Sequence, residues 1–289
     1  MIKKSDGFDI PSNGLVKEIS YGENIKEVVY IHSISHSLEQ YRKISKSQVV
    51  NISTGEIIEC DVSSTREDNL VSLRRSIKRL RDLINCNFYG ADNELFITLT
   101  YRENMRDYKR LYVDFKKFFQ KLKRRYSDIE FRYISVVEPQ ERGAWHIHLL
   151  LKALNRDYLF IDNDSIISQL WGHGFTKTKR LNVVDNVGAY LTAYLTDLID
   201  DEGRKKKGAR LYLYPSGVNI YRCSRNCRRP VEQWLEYGEI DYGDCKTYEV
   251  VYDVIDDSGI RRNVIKKEFY NLRRPKMVYD GTYAGKGGL

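Results

Sequence analysis

No run of about eighteen apolar residues, the length a membrane-spanning helix needs, occurs in this 289-residue chain. The first residues also lack the charged start and apolar core of a secretory leader. Both absences point to a cytoplasmic protein with no membrane partner. Cysteine is sparse and odd in number: Cys60, Cys86, Cys223, Cys227 and Cys245 are scattered, which argues against a disulfide framework in a reducing compartment. Cys223 and Cys227 have the spacing of half a zinc site, yet no second Cys or His pair stands at a matching distance. Two reduced thiols are the simpler reading. Internal repeats at solenoid periods are also missing.

Acidic residues are absent from one long stretch and nearly absent from another. Residues 204–229 carry nine Lys or Arg and no acid, and residues 109–125 carry eight against the single Asp114. The formal net charge is +8; these two stretches contribute +9 and +7, so the remainder is net negative at −8. Basicity concentrated in this way suits a surface that tracks phosphates.

Residues 1–62 mix short alternating segments with turn formers and read as a β-rich lead-in. Ser64 with Glu67 forms a capping-box pattern that opens a helix, with Leu70, Leu73, Ile77, Leu80 and Ile84 at helical spacing. Residues 94–101 predict a strand. Residues 105–126 predict an amphipathic helix with Leu111, Phe115, Phe118 and Leu122 as its buried stripe. Strands are expected at 130–137 and 145–152, a short helix near 163–171, a strand at 175–181, and a helix over 185–198 capped by Asp185. Further strands are expected at 210–215 and 218–223, and residues 246–272 read as a hairpin around residues 256–259. This order suggests an antiparallel sheet with helices packed on it.

Chemistry concentrates in two places. His146 and His148 flank one apolar residue on a strand, where side chains alternate, so both imidazoles project from one face while Ile147 and Leu149 point to the other. Two nitrogen donors on one face hold a divalent cation with little movement, given a third ligand. Tyr190 and Tyr194 lie one helical turn apart and face the same way. Packing beside Leu191, Leu195 and Leu198 remains open as a second reading for either tyrosine.

The segments Phe-Ile-Thr-Leu-Thr at 96–100, His-Ile-His at 146–148 and Tyr-Leu-Thr-Ala-Tyr at 190–194, in that order, resemble the HUH endonucleases, where U is a hydrophobic residue. Among these the chain is most similar to two-tyrosine rolling-circle replication initiators of plasmids and filamentous or small phages. Lys-Gly-Ala-Arg-Leu-Tyr-Leu-Tyr-Pro-Ser-Gly at 207–217 and Tyr-Arg-Cys-Ser-Arg at 221–225 extend the likeness, which spans residues 94–230. The resemblance implies an α+β fold: an HUH-type central antiparallel β-sheet flanked by helices, with β-rich N- and C-terminal appendages. The corresponding segments are 1–90 (lead-in and basic helix), 91–230 (endonuclease domain) and 231–289 (hairpin appendage).

The implied activity is that of a metal-dependent single-strand DNA endonuclease and ligase. Tyr190 or Tyr194 attacks a phosphodiester to form a 5′-phosphotyrosine link, and the other tyrosine accepts DNA in a second transfer. His146, His148 and a neighbouring oxygen donor hold the metal, with Glu138 preferred to Gln140 and Glu141 because it closes the preceding strand. Mg²⁺ or Mn²⁺ suits such a donor set. The imidazoles ligate when neutral, so activity is expected to fall as pH drops below their apparent pKa.

Many relatives carry a lysine three residues after each tyrosine, whereas Ala193 and Asp197 stand here. Lys205, Lys206, Lys207 or Arg210 is the candidate source of that charge. Trp145, Trp171 and several tyrosines are candidates for stacking on unpaired bases. Partners implied are single-stranded DNA, origin duplex DNA, and a host helicase and polymerase, since no Gly-x-x-x-x-Gly-Lys-Ser/Thr segment is present. A two-tyrosine transposase or relaxase uses the same chemistry, and a DNA-binding replication regulator without cleavage is the reading from a different class.

Overall fold

A computed structural model describes residues 2–33, 41–45, 47–52, 54–59, 70–140, 142–181, 187–188, 214–215 and 218–273. The chain forms two compact units, Met1–Ile34 with Pro230–Leu289, and Ser35–Arg229. Its strands are β1 (Ile2–Ser5), β2 (Leu15–Tyr21), β3 (Ile25–Ile31), β4 (Tyr41–Lys43), β5 (Gln48–Asn51), β6 (Ile57–Glu59), β7 (Glu94–Thr100), β8 (Phe131–Pro139), β9 (Trp145–Ala153), β10 (Thr176–Arg180), β11 (Tyr221–Cys223), β12 (Val231–Glu236), β13 (Lys246–Ile255) and β14 (Arg261–Asn271). Its α-helices are α1 (Leu70–Asn87), α2 (Tyr108–Arg125) and α3 (Ser168–Trp171). Mostly antiparallel sheets with three helices make the chain α+β. Among the described residues no helix is long and apolar enough to cross a membrane.

In the unit 35–229 the main sheet has the order β10-β7-β9-β8-β11, every pair antiparallel. The strand carrying His146 and His148 is therefore central. β7 and β8 follow one another in sequence yet are not neighbours, because β9 inserts between them. Hydrogen-bonding partners are thus supplied to both edges of β9. β4, β5 and β6 form a separate small sheet.

α2 begins three residues later than its apolar period suggests, because Asp107 caps it: the carboxylate accepts from the backbone N–H groups of Lys109 and Arg110. Lys123, Arg124 and Arg125 occupy its last turn, where the helix dipole favours cations. Leu111, Phe115, Phe118 and Leu122 are buried as the spacing predicts. Phe115 and Phe119 pack on Tyr133 of β8. In α1, Leu80 and Ile84 are buried and Ile77 partly so; Ser64 and Glu67 lie outside the described residues. The helix expected near 163–171 forms as a π turn (Asn163–Ile167) that runs into α3.

Gly174 shows how β10 is held. A Cβ there would stand 2.5 Å from Arg102 N, 2.6 Å from Thr100 O and 2.8 Å from the Tyr101 carbonyl carbon, all backbone atoms that cannot rotate away. The two chains touch at this point, and Thr100 N–H and its hydroxyl both donate to Phe175 O. Gly174→Ala is accordingly expected to destabilise the unit by about 1–3 kcal/mol, read as a lowered denaturant midpoint. An unchanged midpoint would contradict the close approach.

The unit formed by both chain ends is a six-stranded sheet, β1-β13-β14-β3-β2-β12. The segments 1–90 and 231–289 distinguished above are thus joined in part, since β3 pairs with β14 and β2 with β12. A single strand pair cannot fold alone, and the combination provides a face large enough to bury Val16, Val28, Tyr30 and Tyr270. On that face the fully buried Glu268 carboxylate accepts from Tyr270 Oη at 2.6 Å, Tyr237 Oη at 3.0 Å and Lys246 Nζ at 3.0 Å.

Burial alone would raise the Glu268 carboxyl, but the hydroxyls and ammonium outweigh it and hold the group below its ordinary range. A carboxyl lowered on folding contributes stability that is present above the unfolded value, about 4.3, and is lost as pH falls below it. Thermal midpoints of the wild type are therefore expected to drop through the acid range more steeply than those of Glu268→Gln. Parallel acid limbs in the two proteins would remove Glu268 from the account.

Candidate metal centre

Strand alternation on β9 buries Trp145, Ile147, Leu149 and Leu151 on one face and turns His146 and His148 to the other. β8 supplies the third group through register. Glu138 pairs with His146, as does Thr100 from the opposite side, while Val136 and Thr98 flank His148. Paired residues share a face, so Glu138, Thr98 and Thr100 surround the imidazoles. The turn that sets this register runs from Gln140, whose N–H donates to Ala144 O, through Gly143 at φ +84°. Glycine adopts that conformation without strain.

His148 Nε2–H donates to Glu138 Oε2 at 3.0 Å. On its other side Nδ1 stands 3.4 Å from Thr98 Oγ1, and the ring stacks on Phe96 with a centroid distance of 5.5 Å and planes 9° apart. These contacts aim Nε2 at the carboxylate. His146 Nε2 lies 3.6 Å from the same oxygen, beyond hydrogen-bond reach, and is buried with no hydrogen-bond partner among the described residues. One nitrogen, one nitrogen and one carboxylate oxygen lie within 4.8 Å of one another. An orphaned buried nitrogen aimed at a carboxylate and a second imidazole fits a divalent cation, which would satisfy all three. Burial would push the Glu138 carboxyl up, yet the two imidazoles bring it down to about 2. The group offers an anionic oxygen throughout the neutral range.

The remaining candidates divide clearly. Gln140 is engaged by its own turn, accepting from Arg142 Nε at 3.1 Å, and Glu141 lies outside the described residues. Tyr190, Tyr194, Lys205, Lys206, Lys207 and Arg210 also lie outside them. Val187 and Gly188 are described, helical and buried, and Val187 joins the core that includes Ile147 and Leu149. Cys223 and Cys227 are free thiols, and the three-donor group found among the described residues does not include them.

Trp145 and Trp171 are corrections. They are 3 % and 2 % exposed, and their indole N–H groups donate to Arg106 O and Thr100 O, so neither ring is available to stack on a base. Phe175 is the exposed ring that the strand pattern at 175–181 did not single out. The basic helix α2 keeps its charge outside because Asp114 turns inward and accepts from Tyr101 Oη at 3.0 Å.

An α+β unit with a His-His-Glu cluster on the central strands of an antiparallel sheet defines the class: a protein built to hold a cation on an open sheet face. Residues 94–199, which include the three donors and both tyrosines, match a family model of replication-associated proteins, the ORF2 family. The chain is also 30 % identical over 149 residues to the Phasyl DNA replicon protein arp of Escherichia coli, a match covering 44 % of this chain and 51 % of that protein. It therefore spans about half the length of this curated relative. No solved structure matches the chain. Over the segment that carries the site, this chain is similar to replication-associated proteins.

Proposed function

We propose that the protein is a replication initiator that nicks and rejoins single-stranded DNA at an origin through a 5′-phosphotyrosine intermediate. The observation that carries this reading is the convergence of Glu138, His146 and His148 within 4.8 Å inside the segment similar to replication-associated proteins.

The phenol oxygen of Tyr190 or Tyr194 attacks phosphorus, the bond to the 3′-oxygen breaks, and that oxygen gains the proton lost by the phenol, leaving a free 3′-hydroxyl. Rejoining is the reverse, with a 3′-hydroxyl attacking the phosphotyrosine. A phenol of pKa about 10 is a weak nucleophile at neutral pH toward an anionic phosphate. When bound, Mg²⁺ or Mn²⁺ held by Glu138, His146 and His148 supplies charge neutralisation at a non-bridging phosphate oxygen. The residues of the chain hold that position ready: Thr98 and Phe96 orient His148, and the hairpin turn carries Glu138 to it.

A regulator that binds DNA without cutting it is the reading favoured by Ala193 and Asp197. The test is incubation with labelled single-stranded DNA from the protein's own locus, with Mn²⁺ or with EDTA, followed by a denaturing gel. A metal-dependent covalent adduct is expected. Persistent binding with no adduct on any origin-derived strand would establish the regulator.

A further inference from the structure

β10 is the edge strand next to β7, and its register extends the rows of the metal centre outward. Lys177 pairs with Thr98, which pairs with His148. Phe175 stands opposite Thr100 by the hydrogen bond from Thr100 N–H to Phe175 O, and Thr100 pairs with His146. Lys179 continues the row of Phe96 and Leu150. Alternation therefore places Phe175, Lys177 and Lys179 on the face that carries the cation cluster. With strands about 4.8 Å apart, Lys177 starts about two strand spacings from His148, and a flexible four-carbon stem crosses much of that gap.

The other face of the same strand is spoken for. Thr176 is buried, Thr178 Oγ1 donates to Asn163 Oδ1 at 3.1 Å, and Arg180 donates to Asp92 O while lying 4.3 Å over the Tyr158 ring. Lys177 and Lys179 are exposed and have no ion-pair partner among the described residues. Edge strands often carry lysine to discourage pairing with another chain, and two lysines alone would need no further explanation. Phe175 does: a ring 66 % exposed beside the His146 row works against that purpose. An exposed aromatic alternating with unpaired cations matches the chemistry of an unpaired nucleic acid strand, which offers base faces and phosphates in alternation.

We infer that the outer edge of the sheet is the track along which single-stranded DNA reaches the metal centre, with Phe175 stacking on a base and Lys177 pairing with a phosphate beside the scissile one. This rests on the nuclease reading above. The test measures binding of a labelled single strand by fluorescence anisotropy in EDTA, over a series of salt concentrations, for the wild type, Phe175→Ala, Lys177→Gln and Lys177→Arg. Phe175→Ala is expected to weaken binding by roughly 5- to 100-fold. Lys177→Gln is expected to reduce the slope of log affinity against log salt by about 0.7, with Lys177→Arg restoring it. Isothermal titration with Mn²⁺ should be unchanged in all three, since none is a donor. Adduct formation by the wild type together with unaltered affinity and slope in the variants overturns the track alone. Absence of an adduct in the wild type overturns the nuclease reading and the track leading to it.

Discussion

His148→Ala is expected to abolish measurable Mn²⁺ binding and, with it, metal-dependent cleavage. Three atoms within 4.8 Å form the site, and removal of one leaves Glu138 and His146, whose nitrogen is 3.6 Å from the shared oxygen. Loss of a group that merely orients a ligand typically lowers metal affinity about 10- to 100-fold; loss of the ligand itself should exceed that. The fold should survive, because the side of β9 that builds the core carries Ile147, Leu149 and Leu151. Isothermal titration with Mn²⁺, paired with thermal unfolding, separates the outcomes. Unchanged Mn²⁺ affinity in a folded His148→Ala protein would remove this cluster as the metal centre, and with it the stated role of Glu138.

The second large effect concerns the tyrosines. The double variant Tyr190→Phe with Tyr194→Phe is expected to yield no covalent DNA adduct, a fall on the order of 10⁶-fold by comparison with deletion of other enzymatic nucleophiles. Phenylalanine keeps the ring and deletes the hydroxyl, so packing and metal binding should persist. The single variants then assign the roles. If one alone removes the adduct, that residue makes the first cut; if each lowers it and only both remove it, the two hydroxyls are interchangeable. An adduct retained by the double variant would place the nucleophile among the remaining tyrosines of the 22 in the chain.

Much of the local architecture follows from short-range pattern. The apolar period of residues 108–125 specifies which side of α2 is buried, because helical geometry puts Leu111, Phe115, Phe118 and Leu122 in line. The start of that helix was less legible: a period continues through residues that a cap excludes, and Asp107 sets the boundary by capturing two N–H groups. The tryptophans were misread for a related reason. Pattern registers that a residue is aromatic, while exposure depends on what covers it, and each indole is covered and hydrogen-bonded to a carbonyl from another segment.

What the amino-acid order determined by itself is that His146 and His148 share a face, since a strand has a period of two whatever surrounds it. It also determined the α+β class and the concentration of positive charge in two segments. Tertiary structure decided the rest of the site. Glu138, Gln140 and Glu141 were all near enough in sequence to serve, and only the β8–β9 register, set by the turn at Gly143, opposes Glu138 to His146. Likewise only the pairing of β10 with β7 reveals that Phe175 and Lys177 stand in the rows of the histidines. The same holds for the chain ends, where β3 and β14 are joined in one sheet. Pairing between distant strands is a choice among many registers of similar local energy, and it is settled by the burial and hydrogen bonds that the whole sheet gains at once.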